Sequence, residues 1–307
     1  MALPRRSMVP GATARGTTMA EASEQARLDG DTRAITPTPG WSVLTGRTGA
    51  GRLRRAAQAI ALPVLLLALW QVLAGLGLLP PFLVSPLAIA AQFLALLGSG
   101  ELLLHARDSL YRSLAGFGLG AFFGIGLGLL SGVSRRVEHF FDPLISLTYP
   151  VPKIAVLPVL IVWFGISDTS KILVIMLSCF YPCFIAALYG VRAVDPAWVW
   201  AARNMGARPR QVFLKVIVPA AAPQVFTGLR VALALAFILM FSSEMIGSSN
   251  RTGLGFLILS ADAAGRFDQV FAAVLAIALL GFAADRLLLW LRGRLLVGQL
   301  IGEAQRE

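Results

Sequence analysis

Residues 113–133 read SLAGFGLGAFFGIGLGLLSGV, a run without a charged side chain. As a helix rising about 1.5 Å per residue, this run is long enough to cross the ~30 Å hydrocarbon core of a bilayer. Glycine recurs in it at every fourth position, at Gly116, Gly120, Gly124, Gly128 and Gly132. That spacing leaves one helix face without side chains, so that another helix backbone can approach closely. The stretch therefore predicts a tightly packed helix in a multi-helix membrane bundle.

Composition places the rest of the chain in the same class. Of 307 residues, 57% are hydrophobic and 14% are charged, and the mean hydropathy is +0.74. A soluble domain is about 45–50% apolar and about 25% charged, so a soluble globular protein is excluded. The net charge of +11 lies in short clusters between apolar runs, which is typical of membrane-protein loops rather than of a nucleic-acid-binding face.

Five more apolar runs are predicted to span the membrane, which gives an all-α membrane protein of about six transmembrane helices. The runs are Ala56–Leu79, Pro143–Ile166, Ile172–Val191, Val218–Ser243 and Gln269–Leu291. The second of these is interrupted by prolines and by Lys153, which a bilayer tolerates only where protein or water covers the backbone. We expect residues 86–112 to form an interfacial helix, with His105 among solvent or headgroups.

Three regions are expected along the chain. Residues 1–54 are rich in Gly, Thr, Arg, Ala and Pro without an apolar period, and predict a disordered cytoplasmic tail. Residues 55–295 would form the transmembrane domain, and residues 296–307 a short C-terminal tail. With six spans and the N-terminus inside, the flanks on the cytoplasmic side hold thirteen Lys and Arg residues against five opposite. The asymmetry predicts that both termini are cytoplasmic.

The loop 192–219, between the fourth and fifth predicted spans, is the most informative segment for function. Asp195 is a good N-cap before Pro196, and Gly206 is a natural helix stop. A short helix outside the bilayer follows, with Ala201, Ala202 and Met205 on its apolar face. Such a helix suits docking into a groove of a partner. A helix that rests on headgroups, with Trp198 and Trp200 as interfacial aromatics, is equally compatible with the residues alone.

This loop resembles a motif of one transporter family. The loop contains Trp200-Ala201-Ala202, then Gly206 after three intervening residues, then Val216-Ile-Val-Pro219. This pattern is similar to the E-A-A-x-x-x-G-x9-I-x-L-P loop of ABC importer permeases. Trp200 stands where the family has Glu, and valine replaces Ile and Leu near Pro219. Further similar segments, such as Trp163-Phe-Gly165 and Glu244-Met-Ile-Gly247, resemble the branch that imports nitrate, taurine and aliphatic sulfonates.

The resemblance implies a fold, a function and partners. The fold would be the type I importer arrangement in the bacterial cytoplasmic membrane, and Asp195, Ala201, Ala202, Gly206 and Pro219 would belong to the ATPase-coupling loop. The chain would import a small anion as a homodimer, together with ABC ATPase subunits and an extracytoplasmic substrate-binding protein. No G-x4-G-K-[ST] phosphate loop occurs in the sequence, so ATP and Mg would bind to the partner ATPase. No catalytic, cofactor or metal site is expected in this chain.

Other functions remain open at this point. A permease for a thiamine precursor has a similar sequence, and a secondary transporter would show inverted repeats and more intramembrane charges. A membrane enzyme would need a cluster of catalytic residues, whereas the two histidines, His105 and His139, lie far apart in the predicted topology. Lys153 and Glu244 are candidates for the translocation path. For Glu244, we expect a place at the outer mouth of the path or a helix-capping role.

Overall fold

The computed structural model describes residues 49–247 and 251–303, and within them the side chains of residues 61–247 and 251–296. This part of the chain forms helices and turns and contains no β-strand. The helices are α1 Gly49–Gly75, α2 Pro86–Gly98, α3 Glu101–Val133, α4 Arg135–Thr148, α5 Leu157–Phe164, α6 Asp168–Arg192, α7 Pro196–Asn204, α8 Pro209–Val212, α9 Val218–Ile246, α10 Leu254–Ala263 and α11 Phe267–Glu303. A 3₁₀ turn, Lys153–Val156, precedes α5, and a π turn, Phe213–Ile217, precedes α9.

The chain divides into two compact units, Met1–Pro63 and Val64–Glu307. Of the first unit, residues 49–63 are described, and they form the first part of α1. The second unit holds the remainder of α1 and all later helices. The predicted tail comprises residues 1–54, and its residues 1–48 lie outside the described part of the chain. The predicted disorder does not extend to its last residues, because α1 begins at Gly49.

Helix α6 is the centre of the second unit, because both α3 and α9 pack along it. Its fully buried residues include Val174, Ile175, Cys179 and Cys183. The two cysteines are free; they act as small apolar residues at the contact, as their spacing predicts. Cys179 Sγ also lies 3.3 Å from the carbonyl oxygen of Ala232 on α9.

Four described helices are long and apolar enough to cross a membrane: Glu101–Val133, Asp168–Arg192, Pro209–Ile246 and Phe267–Leu296. They confirm the all-α membrane class and four of the predicted spans. The interrupted region is a helix pair, Arg135–Thr148 and Lys153–Phe164, bent by 89°. At the predicted span Ala56–Leu79, α1 ends at Gly75, and its part with described side chains is the shorter apolar helix Ala61–Gly75. Its first residues lie outside the region with described side chains.

Two boundaries differ from expectation. Residues 101–112 belong to α3 instead of an interfacial helix, because the chain turns at Gly100, which has φ +79°. His105 on this turn of α3 is therefore buried, with 7% of its surface exposed, and the prediction of a headgroup position was wrong. At the other end, α11 continues to Glu303, into the segment predicted as a tail, since Leu295-Leu-Val-Gly-Gln-Leu-Ile301 prolongs the apolar pattern.

Candidate functional site

A buried ion pair joins α3 to α9 at one end of the bundle. Arg112 Nη1 donates to Glu244 Oε1 over 2.7 Å, and both side chains are at most 1% exposed. Arg112 Nε donates over 2.7 Å to Asp168 Oδ1, at the start of α6. Two buried charges are tolerated in an apolar interior only when they are paired and their remaining donors and acceptors are satisfied. Arg112 on α3 thus bonds to the first residue of α6 and to Glu244 near the end of α9.

The same groups hold the chain that enters α10. Glu244 Oε2 accepts from the N–H of Gly255 over 2.9 Å, and Ser109 Oγ accepts from the N–H of Leu254 over 2.8 Å. These are N-terminal amides of α10, which have no partner within their own helix. Ser109 Oγ in turn donates to Glu244. His105 Nδ1 lies 3.0 Å from both the nitrogen and the oxygen of Gly253, and its tautomer decides which of the two it bonds.

We call His105, Ser109, Arg112, Asp168, Lys171 and Glu244 the buried polar network. Lys171 is 2% exposed, and its Nζ has no hydrogen-bond partner among the described residues. It interacts electrostatically with Arg112, Glu244 and Asp168, so two cations face two anions. Gly253 closes the network: its φ is +122°, and an added Cβ would lie 2.5 Å from Glu244 Cδ. A larger residue at 253 is therefore excluded by both backbone and space.

The five glycines that recur at every fourth position in residues 113–133 lie against α6. A Cβ added at Gly120 would lie 2.6 Å from the carbonyl oxygen of Met176, and one at Gly124 would lie 2.6 Å from that of Phe180. Gly116, Gly128 and Gly132 make the same close approach, against Ile175, Phe184 and Val191. Gly118 and Gly126, on another face of α3, have nothing within 4 Å. The glycine periodicity therefore sets the α3–α6 distance.

Lys153 stabilises the bend between α4 and α5. Its Nζ donates to the carbonyl oxygens of Thr148, Tyr149 and Val151 over 2.8, 2.9 and 2.8 Å. Thr148 and Tyr149 form the C-terminal end of α4, where a cation also complements the helix dipole, and Val151 lies in the bend. The ammonium lies 4.2 Å from the ring centroid of Tyr181 on α6. All three of its protons are used within the chain.

A cavity of 420 Å³ opens beside Lys153, between the bend, α6 and α9. Most of its wall is apolar, and its polar groups include Tyr181, Ser178 and Ser242. Ser178 Oγ is buried and has no hydrogen-bond partner in the part of the chain that is described. The cavity therefore combines an apolar wall with a hydroxyl whose hydrogen bonds are not used internally.

Local capping fixes helix α7 at both ends. Asp195 Oδ1 accepts from the N–H of Ala197 over 2.8 Å. Gly206 has φ +80°, and the N–H of Ala207 donates to the carbonyl of Ala202 over 3.1 Å. The second pattern is a Schellman motif, which needs a left-handed residue at Gly206. The predicted short helix and its two caps are therefore present in the structure.

The surface of α7 is apolar and largely open. Met205 is 82% exposed, Trp200 71% and Trp198 48%. Ala202, expected on the docking face, is 8% exposed and packs on the chain's own loop. A depression of 390 Å³ follows α7, lined by Trp198, Ala201, Ala202, Met205, Lys215, Val216, Pro219 and Ala220. The apolar groups of α7 that are exposed beside this depression are therefore Trp198, Ala201 and Met205, whereas Trp200 does not line it.

Sequence reasoning missed most of the buried polar network. It singled out Glu244, yet placed His105 and Arg112 outside the bundle. A signal was present: His105, Ser109 and Arg112 stand at i, i+4 and i+7, which places them on one helix face. Glu244 had two expected roles, and the geometry is that of the helix cap, because its carboxylate is buried and bonded to α10.

Four membrane-length helices in a bundle, with a capped apolar helix exposed on a loop, define the class of multi-pass membrane proteins. Residues 124–297, more than half of the chain, match the family described as binding-protein-dependent transport system inner membrane component. The chain belongs to this family. It is an ABC transporter permease, which is a transport subunit.

Curated relatives include sulfonate and taurine permeases. The putative aliphatic sulfonates transport permease protein SsuC of Bacillus subtilis is 37% identical over 240 residues, which are 78% of this chain and 86% of the relative. The taurine transport system permease protein TauC of Escherichia coli is 36% identical over 238 residues, 76% of this chain and 86% of that one. A chain of the inward-facing MetNI methionine ABC transporter is less similar, at 19% identity over 60% of this chain and 93% of that chain, with a TM-score of 0.49.

Proposed function

We propose that this permease forms the membrane path of an ATP-driven importer. It works as a homodimer with two ABC ATPase subunits and an extracytoplasmic substrate-binding protein. It lies in the bacterial cytoplasmic membrane with both termini inside, which the excess of basic residues in the corresponding flanks supports. Helix α7 is then cytoplasmic, and the buried polar network lies at the outer ends of the helices.

Helix α7 carries the proposal. Its ends are fixed by Asp195 and Gly206, while Met205 remains 82% exposed. A rigid helix that presents apolar side chains outside the bilayer suits a groove in a partner. Docking there would let closure of the ATPases move loop 192–219 and, through Pro219, the long helix α9.

ATP and Mg are assigned to the partner subunits. The sequence holds no phosphate loop of the G-x4-G-K-[ST] type, whose backbone amides and lysine bind nucleotide phosphates. This chain then contributes no cofactor site, and its part in the cycle is mechanical. No catalytic or metal-binding residue is proposed.

For the substrate, we propose taurine or another small sulfonate. Sulfonate and taurine permeases are 36–37% identical to this chain over three quarters of its length. The 420 Å³ cavity between the bend, α6 and α9 is proposed as part of the path. Lys153 supplies positive charge at its rim, and Ser178 supplies an unused hydroxyl. Glu244 supports the outer end instead of lining the path, because Arg112 and α10 occupy its oxygens.

Reconstitution tests the substrate. The permease, its ATPase and its binding protein are placed in proteoliposomes, and uptake and ATP hydrolysis are measured with taurine, an alkanesulfonate, nitrate or a thiamine precursor outside. We expect taurine or the alkanesulfonate to stimulate both activities. Stimulation by nitrate or the thiamine precursor alone would overturn the substrate while leaving the importer function intact. ATP-independent uptake driven by an ion gradient would overturn the importer function itself.

A further inference from the structure

An ion pair and a cleft lie together between α9 and α11, away from the proposed path. Arg230 Nε and Nη2 donate to the two oxygens of Asp285, over 2.7 and 3.2 Å. The arginine side chain is 58% exposed. Directly beside this pair is a cleft of 90 Å³, lined by Phe226, Thr227, Arg230, Leu288, Leu289 and Arg292. The cleft is thus bounded by two guanidinium groups and walled by apolar side chains.

Arg292 is the arginine in this region whose charge is not engaged. Arg286 lies 4.8 Å from the ring centroid of Phe282, and Arg294 lies 5.2 Å from that of Trp290. Among the described residues, Arg292 has neither a carboxylate, a hydrogen-bond acceptor nor an aromatic ring as a partner. The guanidinium of Arg230 retains Nη1 beyond its two bonds to Asp285. The cleft therefore offers unused donors and one uncompensated positive charge.

The depth of the cleft places it at one membrane surface. Arg230 lies sixteen residues before Ile246, the end of α9, which corresponds to about 24 Å along a helix. Arg292 lies seven residues after Asp285, about 10 Å further along α11. With Ile246 at the outer edge of a hydrocarbon core of ~30 Å, the backbone of Arg230 lies about 6 Å inside the inner edge, a distance that its long side chain can span, and Arg292 lies at the headgroups. Under the proposed orientation, this is the cytoplasmic leaflet.

We propose that the cleft is a binding site for an anionic phospholipid of the cytoplasmic leaflet. The headgroup phosphate would lie between Arg230 and Arg292, since guanidinium groups bind phosphate oxygens with paired hydrogen bonds. The acyl chain would lie along Phe226 and Leu288. Basic pockets between transmembrane helices on the cytoplasmic side suit such headgroups. A bound lipid would connect α9 to α11. Helix α9 follows the loop after α7 in the chain.

Apolar walls favour a lipid over free phosphate. Phe226, Leu288 and Leu289 make up half of the lining residues, and these side chains form no favourable contact with a fully hydrated ion. A lipid phosphate arrives with hydrocarbon attached, so that burying it against these side chains is favourable. The site therefore requires both parts of the lipid.

Native mass spectrometry of the full-length permease tests the site. The protein is taken from nanodiscs that contain equal amounts of phosphatidylglycerol and phosphatidylcholine, and the lipids retained on it are counted. We expect phosphatidylglycerol to be retained preferentially, and Arg292→Gln to reduce that retention at least several-fold. Arg294→Gln is the matched control: it removes the same charge from the same helix, outside the cleft, and should leave retention within twofold of wild type.

Three results would overturn the site. Equal retention of both lipids would show that no anionic headgroup is selected. Equal losses in Arg292→Gln and Arg294→Gln would show diffuse attraction to the basic end of α11 instead of a cleft. Release of the lipid by soluble glycerol phosphate would show a phosphate site without a lipid requirement. Because the readout needs neither ATPase nor substrate, it stands apart from the test of the importer function.

Discussion

The buried polar network and helix α7 contrast in the way their side chains are satisfied. In the network, charged groups such as Arg112 and Glu244 are buried, and their bonds are made within the chain. On α7, apolar groups such as Met205 and Trp198 are exposed, although the helix is capped and rigid. Polar groups inside and apolar groups outside each carry a cost unless a partner is present. Apart from Lys171 Nζ, the groups of the network have their partners within the chain, whereas α7 needs a partner from another molecule.

The largest expected effect falls on the helix pair that connects these two regions. Gly124→Leu should prevent stable assembly, because its new Cβ would meet the Phe180 carbonyl at 2.6 Å and neither backbone can retreat from a close-packed contact. Gly126→Leu, two residues away with nothing within 4 Å, is the control and should fold normally. Size-exclusion chromatography in detergent and membrane yield report the outcome. Normal assembly of both variants would show that the glycines do not set the α3–α6 distance.

A smaller but still large effect is expected for Glu244 at one end of the bundle, with Glu138 at the other end as the control. Glu244→Gln removes the charge that pairs with buried Arg112, and breaking a buried pair costs about 3–5 kcal/mol. Glu138→Gln removes the partner of Arg192, a pair whose side chains are 27% and 42% exposed and which is worth at most about 1 kcal/mol. Thermal unfolding of the two purified variants makes the comparison. Equal losses would contradict the description of the Glu244 pair as the buried, internally satisfied one.

A moderate effect is expected at the bend. Lys153→Met removes three hydrogen bonds to the end of α4 while keeping a similar apolar stem. Charged hydrogen bonds contribute about 1.5–3 kcal/mol each in favourable cases, and the exposure of Tyr149 to solvent reduces the net loss. We expect a lower unfolding temperature together with reduced uptake. Lost uptake with unchanged stability would instead assign Lys153 to the substrate path alone.

The smallest effect is expected at Trp200. Its side chain is 71% exposed, so Trp200→Glu should change stability by less than about 0.5 kcal/mol. It would also restore the residue that the related loop motif carries at this place. Unfolding temperature and ATPase binding should both stay at wild-type values. A clear loss of binding would show that the tryptophan itself contacts the partner.

Local signals in the sequence predicted the elements that depend on near neighbours. Glycine at every fourth position predicted the face of α3 that packs on α6, and Asp195 and Gly206 predicted the ends of α7. Prolines around Lys153 predicted an interrupted span, although not its 89° angle. In each case the deciding contacts lie within a few residues or repeat along one helix.

The buried polar network could not be predicted in the same way. Arg112 bonds to Asp168, 56 residues away, and to Glu244, 132 residues away, so its burial depends on the packing of three helices. Read alone, residues 101–112 contain enough charge to suggest the membrane surface. Ala202 was misjudged for a related reason: its helix was predicted, but not the loop of the same chain that covers it.

The central claim is that α7 binds an ATPase, and co-purification of the ATPase with the tagged permease tests it directly. Met205→Glu would place an unpaired charge in the docked contact, at a cost of several kcal/mol, and should reduce the ATPase recovered at least tenfold. Trp200→Glu adds the same charge on the same helix and should bind normally, and both variants should insert to wild-type levels. Undiminished ATPase recovery and substrate-stimulated hydrolysis with Met205→Glu would contradict the claim and favour a helix that rests on headgroups.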